Sequence, residues 1–175
     1  LRLGLSNKSY IEEITVDSTA STKQKKQEGN YFDSFIGLDF NYDKRNQKFQ
    51  TTSGFYSNYS LELPVLSETN TISNSYNYKI FKELYENNIS TLSFLLESSN
   101  SLTGEDIKLS ERLYIPGKRL RGFERGKVGP KDQSDFIGGN YLTTINATST
   151  VPKILENVQN VDLVMFADVG NVWGV

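Results

Sequence analysis

Cysteine and histidine are both absent from the 175-residue sequence. Their absence excludes disulfides, thiolate nucleophiles, the usual zinc sites and every catalytic triad or proton relay that needs an imidazole. The sequence also has no glycine-rich phosphate loop, no EF-hand spacing and no basic, aromatic platform of the kind that binds RNA. We therefore predict no metal site, no cofactor and no enzymatic activity.

Long apolar runs and a strong net charge are also missing. The net charge of −2 gives no overall bias toward nucleic acid, and we predict no nucleic-acid partner. No window approaches the roughly 18 apolar residues of a membrane helix, which leaves open a membrane barrel, whose strands carry a weaker signal. Aromatic residues are 12% of a chain in which only 37% of residues are hydrophobic. This balance favours a strand-rich protein.

Apolar and polar residues alternate along several segments, as they do in strands that have one apolar face. In the segment 32–42, for example, Ile36, Leu38 and Phe40 alternate with Gly37 and Asp39. The pattern predicts about seven strands, centred on residues 1–6, 32–42, 55–63, 76–85, 92–97, 141–151 and 161–170. We expect Pro64 to end the third strand.

The predicted connections differ in length. They are short at residues 43–46 and 86–88 and longer at 17–30, 64–70 and 99–137, and short turns on one side with long loops on the other are typical of outer-membrane barrels. A soluble β-sandwich would alternate as well and remains an alternative. Aromatic residues near strand ends favour the barrel, because they match interfacial girdles. These residues are Tyr31, Phe32, Tyr42, Phe55, Tyr56, Tyr85 and Tyr141. The predicted fold class is all-β, an antiparallel transmembrane β-barrel fragment.

The longest predicted loop, residues 99–137, is strongly basic at its centre. Six cations lie within residues 118–131, where Glu124 is the one acid. One interpretation is a solvated basic loop. The sharper hypothesis is that one arginine folds inward to meet an acid, and Arg121 is the best candidate. Gly122 allows a tight backbone path beside it, and Phe123 could serve as an apolar anchor.

Asp168 is the natural partner for Arg121. It shares a face of the last predicted strand with Asp162, and the other face of that strand is wholly apolar. If the apolar face meets lipid, Asp168 points into the barrel, where a carboxylate is costly unless it is paired. The alternative is an Asp exposed to water at a strand end. Asp33 and Asp39 also share a polar face, and we interpret them as interior charges rather than a catalytic acid–base pair.

Several motifs occur in a fixed order along the chain. They are residues 42–46 and 52–54, residues 112–117, Leu120-Arg121-Gly122-Phe123, Gly129-Pro130, Gly138-Gly139 and residues 166–173. This ordered set resembles the C-terminal barrel of the BamA family of outer-membrane β-barrel assembly factors. Residues 120–123 match the family's loop-six (V/L)RGF signature, and residues 166–173 match its F-x-D-x-G-x-V-W motif.

The resemblance implies a sixteen-stranded up-and-down barrel preceded by periplasmic POTRA domains. Residues 1–175 would then be a partial barrel domain of central to late strands, and the POTRA domains and closing strands would lie outside it. The implied function is non-enzymatic: folding and inserting β-barrel proteins in the bacterial outer membrane. Unfolded barrel clients, assembly-complex lipoproteins and outer-membrane lipid are the implied partners.

In the family, the loop-six arginine packs inside the barrel against the aspartate of the second motif. These roles fall on Arg121 and Asp168, while an interior glutamate of some members would align near Thr148. Leu120, Gly122 and Phe123 complete the loop motif, and the structural glycines are Gly129, Gly138, Gly139 and Gly170. A two-partner secretion transporter, a TamA-like protein and a soluble or surface β-rich binding module remain alternatives.

Overall fold

Seven long strands form one antiparallel sheet in the computed structural model, which describes residues 1–68, 70–85, 88–151 and 163–175. The strands are β1 (Arg2–Ile14), β2 (Gly29–Asp43), β3 (Gly54–Ser67), β4 (Thr71–Tyr85), β5 (Asn88–Ser101), β8 (Tyr141–Val151) and β9 (Leu163–Trp173). Between β5 and β8 lie two 3₁₀ turns, Leu109–Glu111 and Gly117–Arg119, and a small hairpin of β6 (Lys131–Asp132) and β7 (Asp135–Phe136). The antiparallel all-β prediction is confirmed.

The strands pair with their sequence neighbours, and the register places the apolar positions of all seven on one face. Leu38 lies between Leu5 and Leu61, for instance. Because side chains alternate along each strand, this register produces one continuous apolar face and one polar face. Much of the apolar face is exposed: Val169 is 68% exposed and Met165 is 65% exposed.

Several predicted boundaries are wrong. β3 runs through Pro64 to Ser67, because Pro64 pairs with Phe35 where the register shifts between Ser34 and Phe35. A bulge tolerates proline, since the ladder is already interrupted there. The strand predicted to end at residue 6 continues to Ile14, and the loop predicted to start at residue 99 starts after Ser101.

The aromatic residues divide between the two faces. Tyr42, Phe55, Tyr78 and Phe94 form a row of ring contacts on the apolar face, with centroids 5.6, 5.8 and 6.4 Å apart. Two residues assigned to the girdle lie on the polar face instead. Tyr56 donates a hydrogen bond to Asn41 over 2.8 Å, and Tyr31 donates one to the Gln27 carbonyl over 3.1 Å. Their hydroxyls find hydrogen-bond partners on that face.

The connections alternate between the two ends of the sheet, but two of their predicted lengths are wrong. The turn predicted at 43–46 extends over residues 44–53, and only residues 68–70 separate β3 from β4, where a longer loop was predicted. Residues 44–53 and 86–87 connect strands at one end, which we call the short-turn end. Residues 15–28, 68–70 and 102–140 connect strands at the other. The turn predicted at 86–88 lies partly outside the described residues, and the connection after Val151, with Val161 and Asp162, lies wholly outside them. No helix in the described part of the chain is long and apolar enough to cross a membrane.

Candidate functional site

Residues 102–140, which we call the interior loop, lie against the polar face of the sheet. Ile115 and Leu120 of the loop pack on three strand residues, Leu95, Leu142 and Val172, to form a buried cluster. The three strand residues are apolar positions on a mostly polar face, as are Phe35 and Phe166. Apolar side chains on a polar face indicate that another part of the chain covers them, and this signal is present in the sequence.

The four predicted structural glycines lie where the interior loop meets β8 and β9. They are Gly129, Gly138, Gly139 and Gly170. A Cβ on Gly139 would lie 2.6 Å from the Trp173 carbonyl oxygen and 2.7 Å from the Val172 side chain. Gly129 has a φ of +120°, and a Cβ there would lie 3.0 Å from Val172. Glycine therefore permits a close approach that larger residues would obstruct.

The structure brings Arg121 and Asp168 together. Arg121 Nε donates to Asp168 Oδ2 and Nη2 donates to Oδ1, each over 2.7 Å. The backbone N–H of Arg121 also donates to Oδ2, over 3.0 Å. The Asp168 side chain is only 3% exposed, whereas that of Arg121 is 33% exposed. This is a two-pronged ion pair, the geometry in which a guanidinium holds a carboxylate most strongly.

Neighbouring side chains complete the surroundings of the pair. Asn146 donates to Asp168 Oδ1 over 2.9 Å and to the Arg119 carbonyl over 2.7 Å, so one amide fixes both the acid and the loop backbone. The Arg121 guanidinium stacks 3.7 Å from the centre of the Phe166 ring. Hydrogen bonding to Asp168 raises the pKa of Arg121 above its ordinary value. Thr148 lies 3.4 Å from Arg121 Nη2.

The residues that flank Arg121 differ in backbone conformation and in burial. Gly122 has a φ of +86°, which glycine adopts without strain. Phe123 is 63% exposed, so the expectation that it anchors the loop is wrong. Leu120, which is 6% exposed and belongs to the buried cluster, is the apolar anchor instead.

Arg119 is a second inward arginine, which the hypothesis of a single inward arginine missed. Its Nη2 donates to Asn77 over 2.8 Å, and its Nη1 contacts Ser93 and lies 3.3 Å from Asn146 Oδ1. All three partners are neutral. Burial lowers the pKa of Arg119, and the negative charge of Glu97 raises it by a smaller amount.

A buried lysine attaches the start of the interior loop to β2. Lys108 is 2% exposed and forms an ion pair with Asp33, which is fully buried. Glu12 and Glu111 lie 3.7 Å from the ammonium nitrogen, and the Tyr31 ring lies 4.8 Å from it. The sequence carried no local sign of this contact, because Lys108 lies in a stretch without periodicity.

The hairpin of β6 and β7 contacts the connection between β1 and β2. The backbone N–H of Lys23 donates to Asp132 over 2.8 Å, and that of Ser21 donates to Asp135 over 3.1 Å. These backbone N–H groups lie at the start of a short helix, Thr22–Lys25, where the helix backbone provides no acceptor, and the two carboxylates accept their hydrogen bonds. The interior loop is thus also attached to the part of the sheet farthest from β9 in strand order, through the connection between β1 and β2.

The carboxylates considered for acid–base work have other partners. Asp33 pairs with Lys108, and Asp39 accepts a hydrogen bond from Ser60 over 2.5 Å. Within the described residues, no group of three or more acidic side chains is arranged to hold a metal ion.

Comparisons with known proteins agree on the type of fold. A family model described as the Omp85 superfamily domain matches residues 2–175. A crystal structure of BamA from Haemophilus ducreyi lacking POTRA domains 1–3 superposes with a TM-score of 0.79 and 19% identity. The match covers 98% of this chain and 38% of that one, so the chain spans well under half of the solved structure. No curated protein matches the sequence.

Proposed function

Since this chain belongs to the Omp85 superfamily, we propose that it is part of an outer-membrane barrel that assembles or translocates other proteins. Within that class, we propose a BamA-like assembly factor that folds and inserts β-barrel clients. On this proposal the barrel performs no covalent chemistry, and its partners are unfolded clients, assembly lipoproteins and the surrounding lipid.

The two faces of the sheet support a place in the membrane. One face is apolar and exposed over seven strands, which suits lipid, and the other is polar and carries the interior loop, which suits a barrel interior. We propose that β1 and β9, the outer strands of this sheet, pair with further strands of a sixteen-stranded barrel. Residues 1–175 would then be its central to late part.

The Arg121–Asp168 pair is the observation that carries the proposal. It fixes the middle of a long loop to the middle of β9, on the polar face of the sheet. A loop held there can brace the barrel wall while neighbouring strands separate or pair with a client strand. We propose this bracing as the role of Leu120, Arg121 and Gly122.

Replacing the arginine in the full-length protein tests the proposal. Cells depleted of their own copy would express the wild type, Arg121→Ala or Arg125→Ala. Arg125 is an exposed cation of the same loop, so it is a matched control for charge. We expect Arg121→Ala to lower the amounts of several outer-membrane barrel proteins while the variant itself stays at normal abundance, and Arg125→Ala to leave them unchanged. Normal amounts with Arg121→Ala would contradict the proposed role.

The same cells separate the related functions. A loss spread over many barrel proteins supports a general assembly factor, whereas a loss confined to one secreted substrate or a few surface proteins favours a two-partner transporter or a TamA-like protein. Fractionation tests the membrane location. Recovery of the full-length protein in the aqueous phase without detergent would overturn it and favour a soluble binding module.

A further inference from the structure

A basic cavity of about 310 Å³ lies beside the Arg121–Asp168 pair, between the interior loop and the polar face. Four cations line it, and the hydroxyls of Thr91 and Thr148 face it from the strands. The cations are Lys79, Lys118, Arg119 and Arg121. No acidic side chain among the described residues lines the cavity. Nearly all the polar groups around it can therefore donate hydrogen bonds.

Strand register explains why cations collect there. Lys79 of β4, Ser93 of β5, Asn146 of β8 and Asp168 of β9 are consecutive partners in one row across the sheet. Asp168 at one end of the row is paired with Arg121. Lys79 lies on the same row, two strands beyond Asn146, with no acid between them.

The charges of this cavity are balanced only in part. Asp168 neutralises Arg121, but the hydrogen-bond partners of Arg119 are neutral. Lys79 is half-buried and lies 4.9 Å from the Phe81 ring, and it forms no ion pair with an acid in the described part of the chain. Glu97 acts on Arg119 through its charge without contacting it. Partly desolvated cations without a counter-charge favour an anionic ligand.

The lining of the cavity extends beyond the loop contacts toward the short-turn end of the sheet. The interior loop leaves β5 after Ser101 and reaches the middle of the strands, at Ser93 and Asn146. Thr91 and Thr148, which pair with each other, lie one row further toward the short-turn end. A ligand arriving from that end meets the cavity before it meets the loop. If the chain forms an outer-membrane barrel, that end faces the periplasm, because the long interior loop leaves the sheet at the opposite end and long loops lie on the outer side.

We infer that this cavity binds an oxyanion, a carboxylate or a phosphate group, that enters from the short-turn end. Lys79 and Arg119 provide the charge, and Thr91 and Thr148 provide additional donors. The volume is at the small end of ligand pockets, which are roughly 300–1,000 Å³. It suits a single charged group and its immediate neighbours, such as an acidic side chain or the carboxyl end of an extended segment, or a small free phosphate.

Calorimetric titration of the full-length protein in detergent micelles tests the inference. The two probes are an acetylated tetraglutamate peptide and inorganic pyrophosphate, each titrated at low ionic strength. We expect at least one to bind with one-to-one stoichiometry, and the affinity to fall as salt is added. Binding of the peptide alone identifies polypeptide carboxylates as the source, and pyrophosphate binding identifies phosphate. Binding of neither probe overturns the inference.

Lysine variants assign the binding to this cavity. We expect Lys79→Gln to weaken binding about tenfold, equivalent to about 1.4 kcal/mol. Lys8→Gln removes the same charge from the same face, in a separate cavity lined by Glu62, Glu97 and Glu111, and it should leave binding unchanged. Lys79→Glu supplies its own carboxylate, so it should abolish binding and raise the melting temperature relative to Lys79→Gln. Wild-type affinity in both Lys79 variants would refute the assignment.

Discussion

Two ion pairs that attach the interior loop to the sheet lie in different surroundings. We call Lys108 with Asp33 the proximal anchor and Arg121 with Asp168 the distal anchor. The proximal cation is 2% exposed, whereas the distal cation is 33% exposed. Lys108 has two further carboxylates 3.7 Å away, those of Glu12 and Glu111. Arg121 has one carboxylate, Asp168, and an aromatic ring.

This difference in surroundings indicates which of the two ion pairs can break at the lower cost. Without Lys108, several carboxylates would face one another in a closed site, with no cation to separate them. Without the Arg121 side chain, Asp168 would keep the hydrogen bonds from Asn146 and from the backbone N–H of residue 121. The proximal anchor is therefore a fixed part of the fold. The distal anchor can release the middle of the loop at a lower cost, which suits the bracing role proposed above.

The largest expected effect is at the proximal anchor. Lys108→Met removes the cation and leaves a buried, uncompensated acid, and breaking a buried ion pair in this way costs about 3–5 kcal/mol. We expect the urea-unfolding midpoint of the full-length protein to fall accordingly. Lys118→Met, at an exposed position of the same loop, should change stability by less than about 0.5 kcal/mol. Equal stability of the two variants would remove the distinction between the anchors.

A double-mutant cycle at the distal anchor should give a smaller value. For Arg121→Ala, Asp168→Ala and the double variant, we expect a coupling of about 1 kcal/mol, near the lower part of the usual range because solvent screens the partly exposed guanidinium. Unfolding in urea measures all three variants against the wild type. A coupling as large as the loss in Lys108→Met would show that the distal anchor is as fixed as the proximal one.

The sequence was sufficient to predict the distal anchor but not the proximal one. Asp168 could be assigned to the polar face because strict alternation along β9 places it opposite an apolar face. Arg121 followed from its place in a long, glycine-punctuated loop. Lys108 and Asp33 are 75 positions apart, and one of them lies in a segment without periodicity. No local pattern encodes such a contact, because it depends on where a long loop returns.

Other differences between the predicted and the observed structure also have specific causes. Pro64 was expected to end a strand, yet a bulge at Ser34 and Phe35 accommodates it, and a bulge has no reliable signature in a single sequence. The sequence could have predicted that a loop covers the polar face, because Leu95, Leu142 and Val172 interrupt the polar pattern there. Side-chain alternation thus predicts which face a residue occupies. It does not predict what lies on that face.

The smallest expected effect comes from making the distal anchor resemble the proximal one. Thr148 lies 3.4 Å from Arg121 Nη2, and Thr148→Glu would add a second carboxylate beside that guanidinium. We expect the full-length protein to gain about 0.5 kcal/mol in urea unfolding, the scale of a partly exposed ion pair. Thr148→Gln is the matched control, because it has the same shape without the charge, and it should gain nothing.

The same substitution links the anchor to the basic cavity, because Thr148 also lines that cavity. A glutamate there would partly neutralise the cations, so Thr148→Glu should weaken oxyanion binding while it strengthens the hold on the loop. If release of the distal anchor is part of the working cycle, the more stable variant should also assemble clients more slowly. Faster assembly by Thr148→Glu than by Thr148→Gln would contradict a releasable anchor, since it would mean that a tighter loop serves the barrel better.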